Sequence, residues 1–271
     1  MTVSEALDRY LEAAGRVIHR QDTRPLEHQL EAKVRTIFKR QREIVLAEFS
    51  KQRTHFQEDA APQSIIAPAL DAAYIGTYED FFRALESVAE SALVRASATL
   101  IATAGVPLKF DLKDPRAREW LASHAAERIK GIDTTTRKDI ARIVQDGVNE
   151  RVPYDTIARR ISAAYTEFAI GKPQEHIASR AHLVAVTEVA EAYEEGSIRQ
   201  AKEMQRQGLA MEKHWRDSGD DRVSNGCREN SAAGWIPLDQ PFPSGHQHAP
   251  RFPGCRCYVD YRRIGSTAGG D

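Results

Sequence analysis

The chain is poor in cysteine, with three in 271 residues, and aromatic residues supply only 7% of it. A small odd count argues against a disulfide framework and leaves metal ligands or buried thiols as the roles open to those side chains. Excess charge is missing too: 38 Lys and Arg against 39 Asp and Glu give a formal net charge of −1. No global attraction to nucleic acid or to an anionic membrane follows, so any such attraction has to come from a local stripe. No run approaches the roughly 18 consecutive apolar residues of a membrane span. Met1-Thr2-Val3-Ser4-Glu5 also lacks the basic and apolar regions of a secretory signal, and a cytosolic product with no membrane partner is expected. A phosphate loop, a nucleophile elbow and a paired-histidine zinc helix are likewise missing from the sequence.

What the chain does have is helical periodicity. The hydrophobic share of 41% is low for a compact globular protein, which points to much exposed helix surface or to an apolar face buried on partners. After Pro25, read as a first-turn proline, Leu26, Leu30, Val34, Ile37, Phe38, Ile44, Val45 and Phe49 recur at three- and four-residue steps, interrupted by Gln41. Residues 54–66 read as a linker or helix break, and 64–103 as a second long helix with Gly76 its weakest point. The turn Thr103-Ala104-Gly105-Val106-Pro107 ends that helix, and Leu108–Leu112 is extended. Shorter helices follow: one from Asp114-Pro115 to about Lys130, one capped by Asp133-Thr134, and one opened by Pro153 with an Ile157, Ile161, Ala164, Tyr165, Phe168 stripe. Gly171-Lys172-Pro173 precedes a final helix from about Gln174 to Arg206, whose Ala178, Ala181, Ala185, Ala190 and Ala192 allow close packing. The fold class is therefore mainly α, with an extended helical N-terminal region and a small mixed α+β C-terminal module.

Two regions carry candidate chemistry. Between Lys33 and Arg53 seven basic residues face two acidic ones, and Lys33, Arg35, Lys39, Arg40 and Arg42 form a positive stripe suited to DNA or an acidic partner, or simply to solvent. Beyond Gly208 the periodicity disappears; short strands are expected near Trp235–Leu238 and Cys257–Tyr261, with a proline-rich loop between them. Here lie all three cysteines, Cys227, Cys255 and Cys257, with His246 and His248. Thiolates and imidazoles can hold zinc tetrahedrally and so brace a loop-rich segment that lacks a core of its own. The one-residue gap between Cys255 and Cys257 is shorter than in common zinc knuckles, and on a strand it would place both on one face as small hydrophobes. His214, Asp217, Asp220, Asp221, His246 and His248 are the side chains a hydrolytic site would draw on, and polar loop surface accounts for them equally. Asp220-Asp221-Arg222-Val223 reads as a tight turn before a strand. Trp215 and Trp235 are expected together in the small core.

Read in order, several pieces resemble the phage head morphogenesis family, the Mu F-like minor head proteins. They are Arg180-Ala181-His182-Leu183-Val184-Ala185-Val186-Thr187-Glu188, Ala192-Tyr193, Gly196, His214-Trp215-Arg216-Asp217, Asp221-Arg222-Val223, Cys227, Gly234, Pro241-Phe242, Gly245-His246, Pro250, Pro253 and Cys255-Arg256-Cys257. The resemblance spans roughly 110–262. The chain departs from many relatives at Val186, where they have arginine, at Phe252, where they have histidine, and at Ser224, where some have a further cysteine.

The resemblance implies a minor capsid component of a tailed phage or prophage, assembled in the bacterial cytoplasm into the procapsid and virion. Portal, major capsid or scaffold protein, and packaged DNA, would be its partners; some relatives leave the head with the DNA. It also supports zinc held by Cys227, Cys255, Cys257 and His246, with His248 as alternative ligand. Glu188 would hydrogen-bond backbone donors of the C-terminal module or pair with Arg222. The segments expected are a helical portal- or capsid-contacting region 1–107, a helical lead-in 108–206, the Cys/His module 207–264 and a disordered tail 265–271. No enzymatic activity is expected. The alternatives are a toxin-like effector enzyme, since modules of this family occur fused to toxins, and a nucleic-acid-binding protein using residues 33–53.

Overall fold

A computed structural model of the chain describes residues 3–53, 62–104, 115–170 and 179–264. It is mainly α. The described residues form α1 (Val3–Lys51), α2 (Pro62–Ala104), α3 (Pro115–Asn149), α4 (Tyr154–Ile170), α5 (Arg180–Arg206), β1 (Met211–Arg216), α6 (Asn225–Ala232), β2 (Ile236–Pro237) and β3 (Tyr258–Arg263). No helix among them is long and apolar enough to cross a membrane. Two compact units interleave along the sequence: Met1–His28, Val88–Pro115 and Val186–Asp271 make the first, Gln29–Ser87 and Arg116–Ala185 the second.

The second unit is a helical core built as the periodicity predicts. Leu30, Val34, Ile37, Phe38, Val45 and Phe49 of α1 are buried, as is the α4 row Ile157, Ile161, Ala164, Tyr165 and Phe168. Each Val, Leu, Ile or Phe among them contributes about 1.5–3 kcal/mol of burial. Phe38 meets Phe81 at 6.0 Å and Phe168 at 5.7 Å between ring centres. Gln41, which breaks the apolar row of α1, is buried, and its amide donates to Thr77 Oγ1 at 2.9 Å. Arg180 lies over the Phe168 ring at 4.6 Å and donates to the Ile132 carbonyl and the Thr136 hydroxyl.

Several expected boundaries are overturned. Pro25 lies inside α1 and does not start it. A proline leaves the carbonyl four residues earlier without its helical donor, and Gln21 and Pro25 are both exposed, so water can serve that carbonyl. Residues 62–66, read as part of a linker, are the first turns of α2, where Pro62 lacks an N–H that would be unpaired anyway. The break expected near residue 131 is missing, and α3 is continuous. Thr134, Thr135 and Thr136 each donate to the carbonyl four residues earlier, while Asp133 pairs with Arg137 at 2.6 Å. The residues that would have capped a new helix are thus engaged within the old one. The linker 54–61, Gly105-Val106-Pro107, Leu108–Leu112, Gly171-Lys172-Pro173, the expected start of the last helix at 174–178 and the tail 265–271 lie outside the described residues.

The first unit holds the sheet, ordered β2-β1-β3 and antiparallel throughout. Of the α5 alanines, Ala192 and Ala201 are fully buried in this unit and Ala181 and Ala185 in the second, the burial that the small residues of the helix predict. Gly196 shows how close the packing is: a methyl group there would sit 2.8 Å from the Leu93 carbonyl oxygen of α2. The hydrophobic cluster joins Leu100, Ile198, Ala201 and Met204 to Met211, Trp215, Cys227, Phe242, Cys255, Cys257, Val259 and Tyr261. Strands are found where expected, at 236–237 and 258–263, but β1 is additional, its Met211, Lys213 and Trp215 alternating inward. After the Asp220–Val223 turn the chain enters α6, not the expected strand, because Ser224 occupies an N-cap position with extended backbone.

Trp235 is a correction. Trp215 is fully buried and meets Phe242 at 5.2 Å, whereas Trp235 is only partly buried. Its ring is covered by Arg262 at 3.9 Å and approached by His214 at 5.3 Å. The register explains this: Trp235 precedes Ile236, which pairs with inward-facing Lys213, so by alternation Trp235 shares the face of His214 and Arg216.

Candidate metal centre

Cys227 is carried by α6, and Cys255 and Cys257 by the loop entering β3. All three are buried and free, and their sulfur atoms lie within 4.8 Å of one another. Cys227 and Cys255 are 3.9 Å apart. Hydrogen bonds from Cys255 and Cys257, then from Ser224, with the Arg251 guanidinium adding charge, pull the Cys227 thiol far below its ordinary value. The same sharing pushes Cys255 and Cys257 up, and the three thiols titrate as one coupled group.

The donor set fits a soft metal ion. Thiolates at about 2.3 Å from zinc on a tetrahedron stand ~3.8 Å apart, close to the Cys227–Cys255 separation. The two histidines expected to complete the site are placed elsewhere. His246 uses Nδ1 on Ser244, 3.0 Å from both its hydroxyl and carbonyl oxygens. His248 Nε2 lies 3.5 Å from Glu195 Oε2, and its Nδ1 donates to the Ala249 carbonyl at 2.7 Å. Burial disfavours charge on His248, but the bonds to Glu195 and to that carbonyl outweigh it and raise the ring to about 9. A doubly protonated imidazole has no lone pair to give a metal. Three cysteines are therefore what the fold brings together.

Several other polar groups of the module pair with one another. Asp220 takes a two-pronged bond from Arg256, and Asp217 accepts from the Gly219 N–H at 2.8 Å. Arg222 pairs with Asp221 at 4.0 Å. Glu188 is buried on α5, and on the same helix Glu194 accepts from Val259 N at 3.1 Å. Burial raises Glu194 to about 8, against the smaller pull of His248 and the Val259 N–H. Lys213, unremarked in the sequence, is fully buried and donates to the carbonyl and the side-chain oxygen of Gln247 at 2.9 and 2.6 Å. Its place between Met211 and Trp215 was the available signal, since strand alternation turns it inward. Of the basic stripe, Arg35 pairs with Glu31 and Arg40 with Asp80, while Lys39 is exposed.

Residues 135–260 match the family described as Phage Mu protein F like protein. This stretch is similar to the Mu F-like family. The match begins within α3 and ends within β3, so the Mu F-like segment contains α4, α5, α6, most of the sheet and all three cysteines. It starts later than the resemblance suggested, and residues 1–134 lie outside it. The family is one of phage head morphogenesis. No curated protein and no solved structure gives a significant match.

Proposed function

We propose that this chain is a minor head protein that binds the portal or the inner face of the capsid during procapsid assembly, without catalysing a reaction. The observation that carries the reading is the Mu F-like match, which takes in all three cysteines and the module as far as residue 260. The charged groups of that module support it: Asp220, Arg256, Glu195, His248 and Arg262 are each engaged with a neighbour, as in a docking element. We also read the three cysteines as a structural zinc site. Bound there, zinc would tie α6 to the loop before β3, and Cys227, Cys255 and Cys257 would hold it.

Co-expression with the portal and major capsid proteins of the same phage or prophage tests the role. The chain is expected to sediment with procapsids in a portal-dependent manner; particles of normal composition and infectivity without it would remove the reading. Binding to DNA that falls steeply with added salt, and is lost in a Lys33, Lys39, Arg42 charge-removal variant, would favour the nucleic-acid alternative instead. Metal analysis of the purified chain is expected to give one zinc per molecule.

A further inference from the structure

The cysteine cluster has a cation built against it. The Arg251 guanidinium lies on the backbone of Gly226, so close that a methyl group at Gly226 would sit 1.9 Å from Nη1 and 2.7 Å from Cζ. Nη1 donates to Ser224 Oγ at 3.3 Å. Ser224 stands at the N-cap of α6, but its side chain makes no cap bond; its hydroxyl donates to the Cys227 sulfur. The backbone N–H of Arg251 donates to the Cys255 sulfur. One residue thus reaches both sides of the cluster, through its side chain to the Ser224–Cys227 end and through its backbone to Cys255.

Neighbouring arginines are committed elsewhere. Arg256 is held by Asp220, and Arg228 donates to the carbonyls of Val223 and Asp221 at 3.1 and 3.2 Å. Three thiolates around a divalent ion leave one net negative charge, and a buried charge is costly unless a partner offsets it. The histidines that would have lowered the thiolate count are engaged on Ser244 and Glu195.

We propose that Arg251 is the positioning and charge-balancing residue of a three-thiolate metal centre, and that Gly226 is glycine because the guanidinium occupies the space a side chain would need. The proposal rests on the metal reading of the cysteines. Ser224 relays the contact: it accepts from Arg251 and donates to Cys227, orienting that sulfur towards the other two.

The full-length chain loaded with zinc provides the test, using competition with a chromophoric chelator and the absorption bands of the cobalt-substituted protein. Arg251→Gln should weaken zinc binding about tenfold or more, the usual effect of removing an outer partner of a metal ligand. Gly226→Ala should do the same by displacing the flexible end of Arg251, with helix content and melting temperature of the metal-free chain unchanged. Arg251→Lys should recover part of the affinity, because it keeps the charge. The double variant should lose no more than Arg251→Gln alone, since both remove one contact. Wild-type chain that takes up neither zinc nor cobalt would overturn the metal reading and this proposal together. Wild-type chain that binds zinc while Arg251→Gln and Gly226→Ala stay within twofold of it would overturn this proposal alone.

Discussion

The helical unit and the small C-terminal module solve the same problem, enclosing a core, by opposite means. In the helical unit, long repeats of apolar residues do the work, and among its buried polar groups the Gln41 amide donates to Thr77 Oγ1 at 2.9 Å. In the module, short strands and loops cannot supply a repeating apolar face, so stability concentrates on single groups: fully buried Trp215, fully buried Lys213 and three clustered cysteines. A distributed core tolerates a local error, whereas a concentrated one fails at one residue. That contrast also bears on function, because a module held by a few contacts can be fixed or released by a single ligand.

The comparison breaks most sharply at Trp215. Trp215→Ala should cost about 3–5 kcal/mol and open the module while most far-ultraviolet helix signal persists; loss of the helix signal in the same transition would show that the two regions do not differ in this way. Next comes Lys213→Ala, which strips the Gln247 carbonyl and side-chain oxygen of their shared donor and should destabilise by ~2–3 kcal/mol in chemical denaturation. Burial lowers Lys213 to about 8, with Lys202 adding to it. Its ammonium is therefore disfavoured in the fold, and Lys213→Met, which keeps the volume, should be milder than Lys213→Ala.

The module should also respond to pH. His248 sits at about 9 in the fold, above its ordinary 6.5, so its contribution is whole below pH 6.5 and is lost as pH rises through 9. Glu194, raised to about 8 by burial, acts in the same direction between its ordinary 4.5 and 8. Melting curves from pH 6 to 9.5 should show stability falling on the order of 1–3 kcal/mol, with His248→Gln flattening the upper part of the slope and Glu194→Gln the lower. An unchanged slope in both variants would contradict the assignment. The smallest effect belongs to the helical unit: Thr77→Val leaves the Gln41 amide without its acceptor and should cost about 1–2 kcal/mol, read from the denaturation midpoint.

Helical periodicity made the second unit legible, because an apolar row at three- and four-residue steps has one stable arrangement and Leu30 to Phe49 follow it. Helix ends were less so. Pro25 and Thr134 carry local signals for a start, yet exposure of Gln21 and the back-bonded hydroxyls of Thr134 to Thr136 let the helices continue. In the module, the ordered string of Trp215, Cys227, Gly245 and Cys255-Arg256-Cys257 carried the resemblance that the family match bears out. Its ligand set was only partly readable. Composition names His246 and His248 as equals of the cysteines, and no spacing rule announces that Glu195 and Ser244 will claim them.

The sequence by itself determined that this protein is mainly helical, that its cysteines are confined to one C-terminal segment, and that this segment resembles a head morphogenesis module. These are properties of pattern and order along the chain. Only the tertiary structure decided that three cysteines converge without a histidine, that Trp235 stays partly outside while Lys213 goes in, and that Arg251 lies against Gly226. Each of those outcomes depends on competition in space between partners far apart in the chain, where burial and hydrogen-bond geometry choose among groups that the sequence presents as equivalent.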